Sequence, residues 1–123
     1  MKTFIIAAGT ILLLDFIWLS LNHLNHKKLF NSVQGSPLSI RVFPAILVYV
    51  LIPFAVVYFA VSDAKSLKDA ATRGAILGVS MYGLYDLTNL STLKNWTYEM
   101  AIKDTLWGTI LCASAAAVAY KFK

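Results

Sequence analysis

Acidic residues are scarce in this chain, six among 123, against eleven lysines and arginines. Cysteine occurs once, at Cys112, which excludes an intrachain disulfide and any paired-cysteine metal site. In its apolar, alanine-rich surroundings Cys112 reads as a small packing residue rather than a reactive thiol. Charge of either sign is low at 14%, where soluble domains carry about 25%. Catalytic templates are missing too. There is no His-Glu-x-x-His, no phosphate-cradling glycine loop and no Gly-x-Ser-x-Gly elbow. The net charge of +5 does not point to nucleic acid, because the basic residues are spread thinly and Lys27-Lys28 is the only adjacent pair. They read instead as interfacial anchors facing anionic head groups. No metal and no cofactor is expected. His23 and His26 have a ligating i, i+3 spacing, but beside Lys27 and Lys28 they read as an interfacial cluster.

What the chain has is hydrophobicity: 59% apolar residues and a mean hydropathy of +0.67. The pattern predicts an all-α integral membrane bundle of four transmembrane helices, a single domain over 1–123, with spans at about 3–24, 42–61, 72–90 and 104–120. The first run could be taken for a signal peptide, since Lys2 leads into Ala7-Ala8-Gly9. It continues far past those small residues and is long enough, at about 20 residues, to cross a bilayer, so it reads as a retained helix. Residues 25–41 read as a turn-rich connection in which Leu29-Phe30 dips into the interface. The second span is uncharged and kinked by Pro53, a packing or lipid-facing helix with Tyr49 and Tyr58 as its main polar groups. Residues 62–73 read as a short polar helix leading into the third span, and 91–103 as a connection whose Trp96 and Tyr98 belong to the interfacial belt. Counting basic residues gives six on the side of the termini (Lys2, Lys65, Lys68, Arg73, Lys121, Lys123) and five on the other, which tilts the termini only slightly towards the cytoplasm.

Three of the six acids lie inside or at the edge of these spans: Asp15, Asp86 and Asp104. A carboxylate at the centre of a bilayer costs about 2.5–3.5 kcal/mol on insertion scales, so such residues mark function or a polar interior. Each has companions at helical spacing: Trp18 and Asn22 after Asp15, Asn89 after Asp86, and Trp107 after Asp104. Tyr82, Tyr85, Asp86 and Asn89 form one polar face if the third helix runs on, whereas a helix ending near Gly83 would leave Asp86 and Asn89 in a wet loop. Gly74 and Gly78 in the third span, and Gly108, Cys112 and Ala115 in the fourth, form small-residue stripes suited to close helix packing.

Leu14-Asp15-x-x-Trp18-Leu19, Tyr85-Asp86-Leu87-Thr88-Asn89 after Gly74, and Asp104-x-x-Trp107-Gly108 together resemble the membrane-protein family catalogued as domain of unknown function 2177. The resemblance covers nearly the whole chain and implies a four-helix multispan protein; it brings no reaction, substrate or cofactor.

Three functional expectations follow. In the first, Asp15, Trp18, Asn22, Tyr82, Asp86, Asn89, Asp104 and Trp107 line a polar intramembrane cluster that binds or transports an ion, a proton or a small amphipathic ligand. In the second, the protein is a structural or accessory subunit of a larger assembly and the aspartates fix helix register. The third and weakest is an intramembrane lipid-modifying enzyme, with the aspartates as acid and base. Partners are the lipid bilayer and either further copies of the chain or other membrane subunits. Asp15, Asp86 and Asp104 are expected to converge in one polar cluster; the competing arrangement sets Asp104 apart as a helix N-cap.

Overall fold

The computed structural model describes residues 1–123 as five helices and no strand. Helix α1 spans Lys2–Leu21, α2 His23–Gln34, α3 Val42–Ala55 with a π-helical continuation over Val56–Val61, α4 Leu67–Thr92 and α5 Tyr98–Lys121. α1 and the α3–π rod are each 20 residues with mean hydropathies of 2.2 and 2.4, long and apolar enough to cross a membrane. α4 and α5 are longer, at 26 and 24 residues, but carry the polar residues.

Several boundaries differ from the sequence expectation, each for a local reason. The first helix stops at Leu21 rather than at 24 because Asn22 turns back on it. Its Nδ2 donates to the Trp18 carbonyl at 2.9 Å, and its backbone leaves the helical region at φ −110° and ψ 13°. Residues 25–41 are not merely a connection. α2 presents Leu29, Phe30 and Val33 to Trp96, Met100 and Ala101, while its Asn31, Ser32 and Gln34 are exposed. Gly35 then ends it in the left-handed region at φ 75°. The third helix does not stop near Gly83, which removes the wet-loop alternative: α4 runs to Thr92 and buries Asp86 completely. The fourth begins at Tyr98 instead of 104 because the Thr97 hydroxyl accepts the Met100 amide at 3.1 Å, with Glu99 in the favourable first turn.

Pro53 is buried inside the second long helix, and the π-helical turn follows three residues later. Proline cannot donate to the carbonyl four residues back, so the ladder is disturbed there, and the chain resumes by i→i−5 bonding, Ser62 N to Val57 O at 2.9 Å. The two parts of the rod have different neighbours. The part before Pro53 packs on α1, whereas the π segment packs on α4 and α5.

The distribution of side chains is inverted relative to a soluble fold. Only 21 of 123 residues are buried, and most of the apolar ones are small, Ala7, Ala60, Ala115, Ala116 and Ala119 among them. Phe16, Phe43 and Leu84 stand at least 70% exposed. Large apolar groups facing outward and small ones facing inward are what close packing in lipid requires, because lipid is as apolar as leucine and association rests on contact distance. The tightest seam joins α4 to α5. A methyl group added at Gly74 would meet the Cys112 carbonyl oxygen at 2.5 Å, and one at Gly78 would fall on the Gly108 carbonyl.

α4 starts in a reciprocal cap outside the apolar region. Ser66 Oγ accepts the Asp69 amide at 3.0 Å, and Asp69 Oδ2 accepts the Lys65 amide at 3.0 Å and Arg73 Nε at 3.1 Å. The Lys65 amide first, then the Arg73 guanidinium, hold the Asp69 carboxyl below the usual carboxylate range. A lowered folded value means a contribution fully present above the unfolded value of about 3.9 and lost as pH falls through the folded one. Amide exchange in the first turn of α4 is therefore expected to stay protected at neutral pH and to accelerate selectively in acid. Asp69→Asn should abolish that acid dependence; an unchanged acid profile in the variant would show that the cap does not titrate.

Candidate functional site

The polar residues of the spans collect towards the end of the bundle that carries α2 and the α4–α5 connection. That end is held together by Asn95 Nδ2 donating to the Ser32 carbonyl at 3.0 Å. Two carboxylate centres lie below it.

The first is Asp15, 9% exposed on α1. Tyr49 of α3 donates its hydroxyl to Oδ2 at 2.6 Å, and Trp107 of α5 donates its indole N–H to Oδ1 at 2.9 Å, so one carboxylate ties three helices together. Trp18, one turn along from Asp15, stacks on Trp107 with centroids 4.8 Å apart and planes 5° from parallel. Its own Nε1 is buried without a partner. Asn22 lies beyond, its Oδ1 accepting from Lys103 Nζ at 3.4 Å.

The second centre is Asp86 on α4, wholly buried. Thr105 Oγ1 of α5 donates to its Oδ2 at 3.4 Å, a long bond, while Oδ1 has no partner. Asp104 and the Trp96 indole flank it. Trp96 is only 6% exposed, and its Nε1 is also unpartnered. Asp104 sits seven residues into α5, inside the helix and beside Asp86, which removes the competing helix-cap reading. Asn89 lies near the Tyr85 hydroxyl one turn further on.

Tyr82 stands between the centres, within electrostatic range of Asp15, Asp104 and Tyr49. It is fixed there by Gly108, since any side chain at 108 would overlap its ring. The residues expected as helix-packing positions, Gly74, Gly78, Gly108, Cys112 and Ala115, all lie buried on α4 and α5. The one ion pair in the structure is Arg73 with Asp69, outside the cluster, so none of the three aspartates is paired with a cation.

Beside the second centre opens a cleft of about 480 Å³ between α3 and α4, roofed by His26 and Phe30 of α2. Its position follows from Pro53: before the proline α3 leans on α1 and leaves α4, and after it the π segment closes the gap. Nine of its eleven lining residues are hydrophobic, including Val48, Ile52, Met81 and Met100, and Asp104 and His26 bring in charge and polarity. Trp96 forms part of the wall, held edge-on by Phe30 at 5.6 Å and by Tyr85 at 5.9 Å.

Tyr49, Trp96, Thr105 and His26 were missed as site residues by sequence reasoning. Tyr49 did carry a signal. A lone hydroxyl in an otherwise apolar stretch of span needs a partner, and only the other spans can supply one. Trp96 looked like an interfacial residue because nothing in the sequence shows that α2 folds over it.

All-helical, inverted in hydrophobicity and holding hydrogen-bonded aspartates in its interior, the molecule is a membrane protein. Residues 1–121 match the family described as predicted membrane protein, DUF2177, and the chain belongs to it. No curated protein and no solved structure matches the chain.

Proposed function

We propose that the chain crosses the bilayer four times and binds a small amphipathic molecule in the cleft between α3 and α4, its apolar part against Val48, Ile52, Met81 and Met100 and its polar head towards Asp104. The observation that carries this reading is the cleft itself. It is a cavity in the 300–1,000 Å³ range of small-molecule sites, apolar in the main, with few polar groups at one place. The bond between the α2 region and the α4–α5 connection supports four spans, because it puts those two links at one end and the turn at 62–66 at the other. Helices of 26 and 24 residues reach about 36–39 Å, enough for the hydrocarbon core. Single cysteines at Gln34 and Lys94 are expected to label from one side of the membrane and one at Lys65 from the other; labelling of Gln34 and Lys65 from the same side would end the four-span reading.

For binding, the purified protein in neutral detergent is expected to retain dodecyl amphiphiles in native mass spectrometry. Val48→Trp, a change on the half-exposed cleft wall of α3, should expel them with little effect on stability. Equal retention by the variant would place the ligand elsewhere. The accessory-subunit reading draws less support, because the glycines expected to receive a partner helix are covered within the chain by α5 and Tyr82.

A further inference from the structure

The cleft is lined without a lysine or an arginine, and its one carboxyl group, Asp104, is paired with no cation. Asp104 is half-buried on the cleft wall, whereas Lys103, the residue before it, reaches instead to Asn22. Behind Asp104 the Asp86 carboxyl is wholly buried and in hydrogen-bond contact with it. A carboxylate has no hydrogen to give, so two carboxyls in such contact hold one proton between them and together carry one negative charge. The roof of the cleft adds a second acceptor. His26 Nδ1 lies 2.9 Å from the Asn22 carbonyl oxygen, which only accepts. Nδ1 therefore carries the hydrogen, and the neutral ring keeps a lone pair on Nε2. Phe30, Tyr82, Tyr85 and Trp96 line the cleft as well, and aromatic rings attract cations through their quadrupoles. An anionic head would meet the charge of the aspartate pair with no basic group to offset it. A hydroxyl would give its one hydrogen to Asp104 and leave the charge standing. An ammonium neutralises the charge and brings donors to a lining that offers acceptors.

We propose that the cleft is selective for an amphiphile with a singly charged ammonium head, Asp104 serving as its counter-charge and the chain lying against the apolar walls. This rests on the binding reading above and adds the chemical class. Carboxylates that face a cavity within a membrane commonly act as counter-ions to what binds there. One negative charge on the aspartate pair matches one cation. Removing either partner of a desolvated charge pair leaves the other uncompensated, so the contrast between a cationic and an uncharged head is expected to be about 10- to 100-fold.

The test uses four probes with the same chain: dodecylammonium, dodecyltrimethylammonium, dodecanol and dodecyl phosphate. Each is titrated at neutral pH against the purified wild type and Asp104→Asn in neutral detergent, with native mass spectrometry and thermal stabilisation as readouts. Comparing one probe between the two proteins cancels its partition into the micelle. Both cations are expected to bind the wild type at least about 10-fold more tightly than dodecanol, and the phosphate to bind most weakly. Asp104→Asn keeps the size of the side chain and can still donate to Asp86. It should weaken both cations about 10-fold and leave dodecanol unchanged. An equal loss for dodecanol would show that Asp104 shapes the cleft without discriminating charge, which overturns the proposal. Equal binding of cations and alcohol by the wild type, with both expelled by Val48→Trp, would overturn the head-group class and retain the cleft. Tightest binding of the phosphate would overturn it in favour of an imidazolium at His26. Failure of all four probes would overturn the binding reading as well. The wild-type ranking stands without the variant, so an Asp104→Asn protein that does not fold leaves the proposal open to refutation.

Discussion

Gly78→Ala is expected to destabilise the protein by about 3 kcal/mol. Overpacking in a well-filled core usually costs about 1–3 kcal/mol, and relaxation of flexible side chains keeps it there. At Gly78 no side chain is available to move: the added carbon would fall on the Gly108 carbonyl and close to the Thr109 Cα. The two helices would have to separate along their seam, loosening Gly74 against Cys112 and withdrawing Thr105 from Asp86. Gly9→Ala is the matched control. Nothing lies within 4 Å of the position on the exposed face of α1, so removing a helix-interior glycine should be neutral or stabilise by about 0.5–1 kcal/mol. Thermal unfolding of both variants in one detergent reads the difference. Equal stabilities would show that the α4–α5 seam is not in close contact.

Asp15→Leu is expected to cost roughly 2–3 kcal/mol, even though it removes a carboxylate from an apolar helix. Interhelical hydrogen bonds in bilayers average about 0.6 kcal/mol and reach about 1.7 kcal/mol, and this carboxylate makes two short ones, to Tyr49 and Trp107. The insertion cost of Asp15 does not offset their loss. A separated α1 in the membrane carries that cost too, so it largely cancels between associated and dissociated helices. Leucine also leaves the half-buried Tyr49 Oη and Trp107 Nε1 without this acceptor. Tyr49→Phe should cost about 1–2 kcal/mol, and the double variant should be less destabilised than the sum of the singles by roughly 1 kcal/mol. Strict additivity would mean that the Tyr49–Asp15 bond contributes nothing to stability. Trp107→Phe carries a further readout, because loss of the indole N–H also disturbs the stack with Trp18 and should shift its near-ultraviolet signature.

These effects bear on what the bundle is for. Asp15, with both oxygens engaged, ties three helices together, whereas Asp86 is enclosed by Asp104, Thr105 and the Trp96 indole between α4 and α5. Both carboxylates lie within long helices, and they differ in the side chains that reach them.

The sequence by itself determined the helical membrane character, the apolar stretch 42–61 and the polar face of α4. These follow from composition and 3.6-residue periodicity, which are local and carry no information about partners. It also singled out the glycines of the α4–α5 seam, since small residues at four-residue spacing have few other uses in an apolar helix. Helix ends were less legible: Asn22 halts α1 through a bond to its own preceding turn, and Thr97 starts α5 six residues early. Tertiary structure alone decided the division of labour among the aspartates. Tyr49 is 34 residues from Asp15 and Trp107 is 92, and no periodicity links them. The cleft was likewise invisible, because it is a gap between α3 and α4 set by a π-helical turn, roofed by a helix that the sequence presented as a loop. A void is a property of how elements fail to meet, and that is settled only when they are packed.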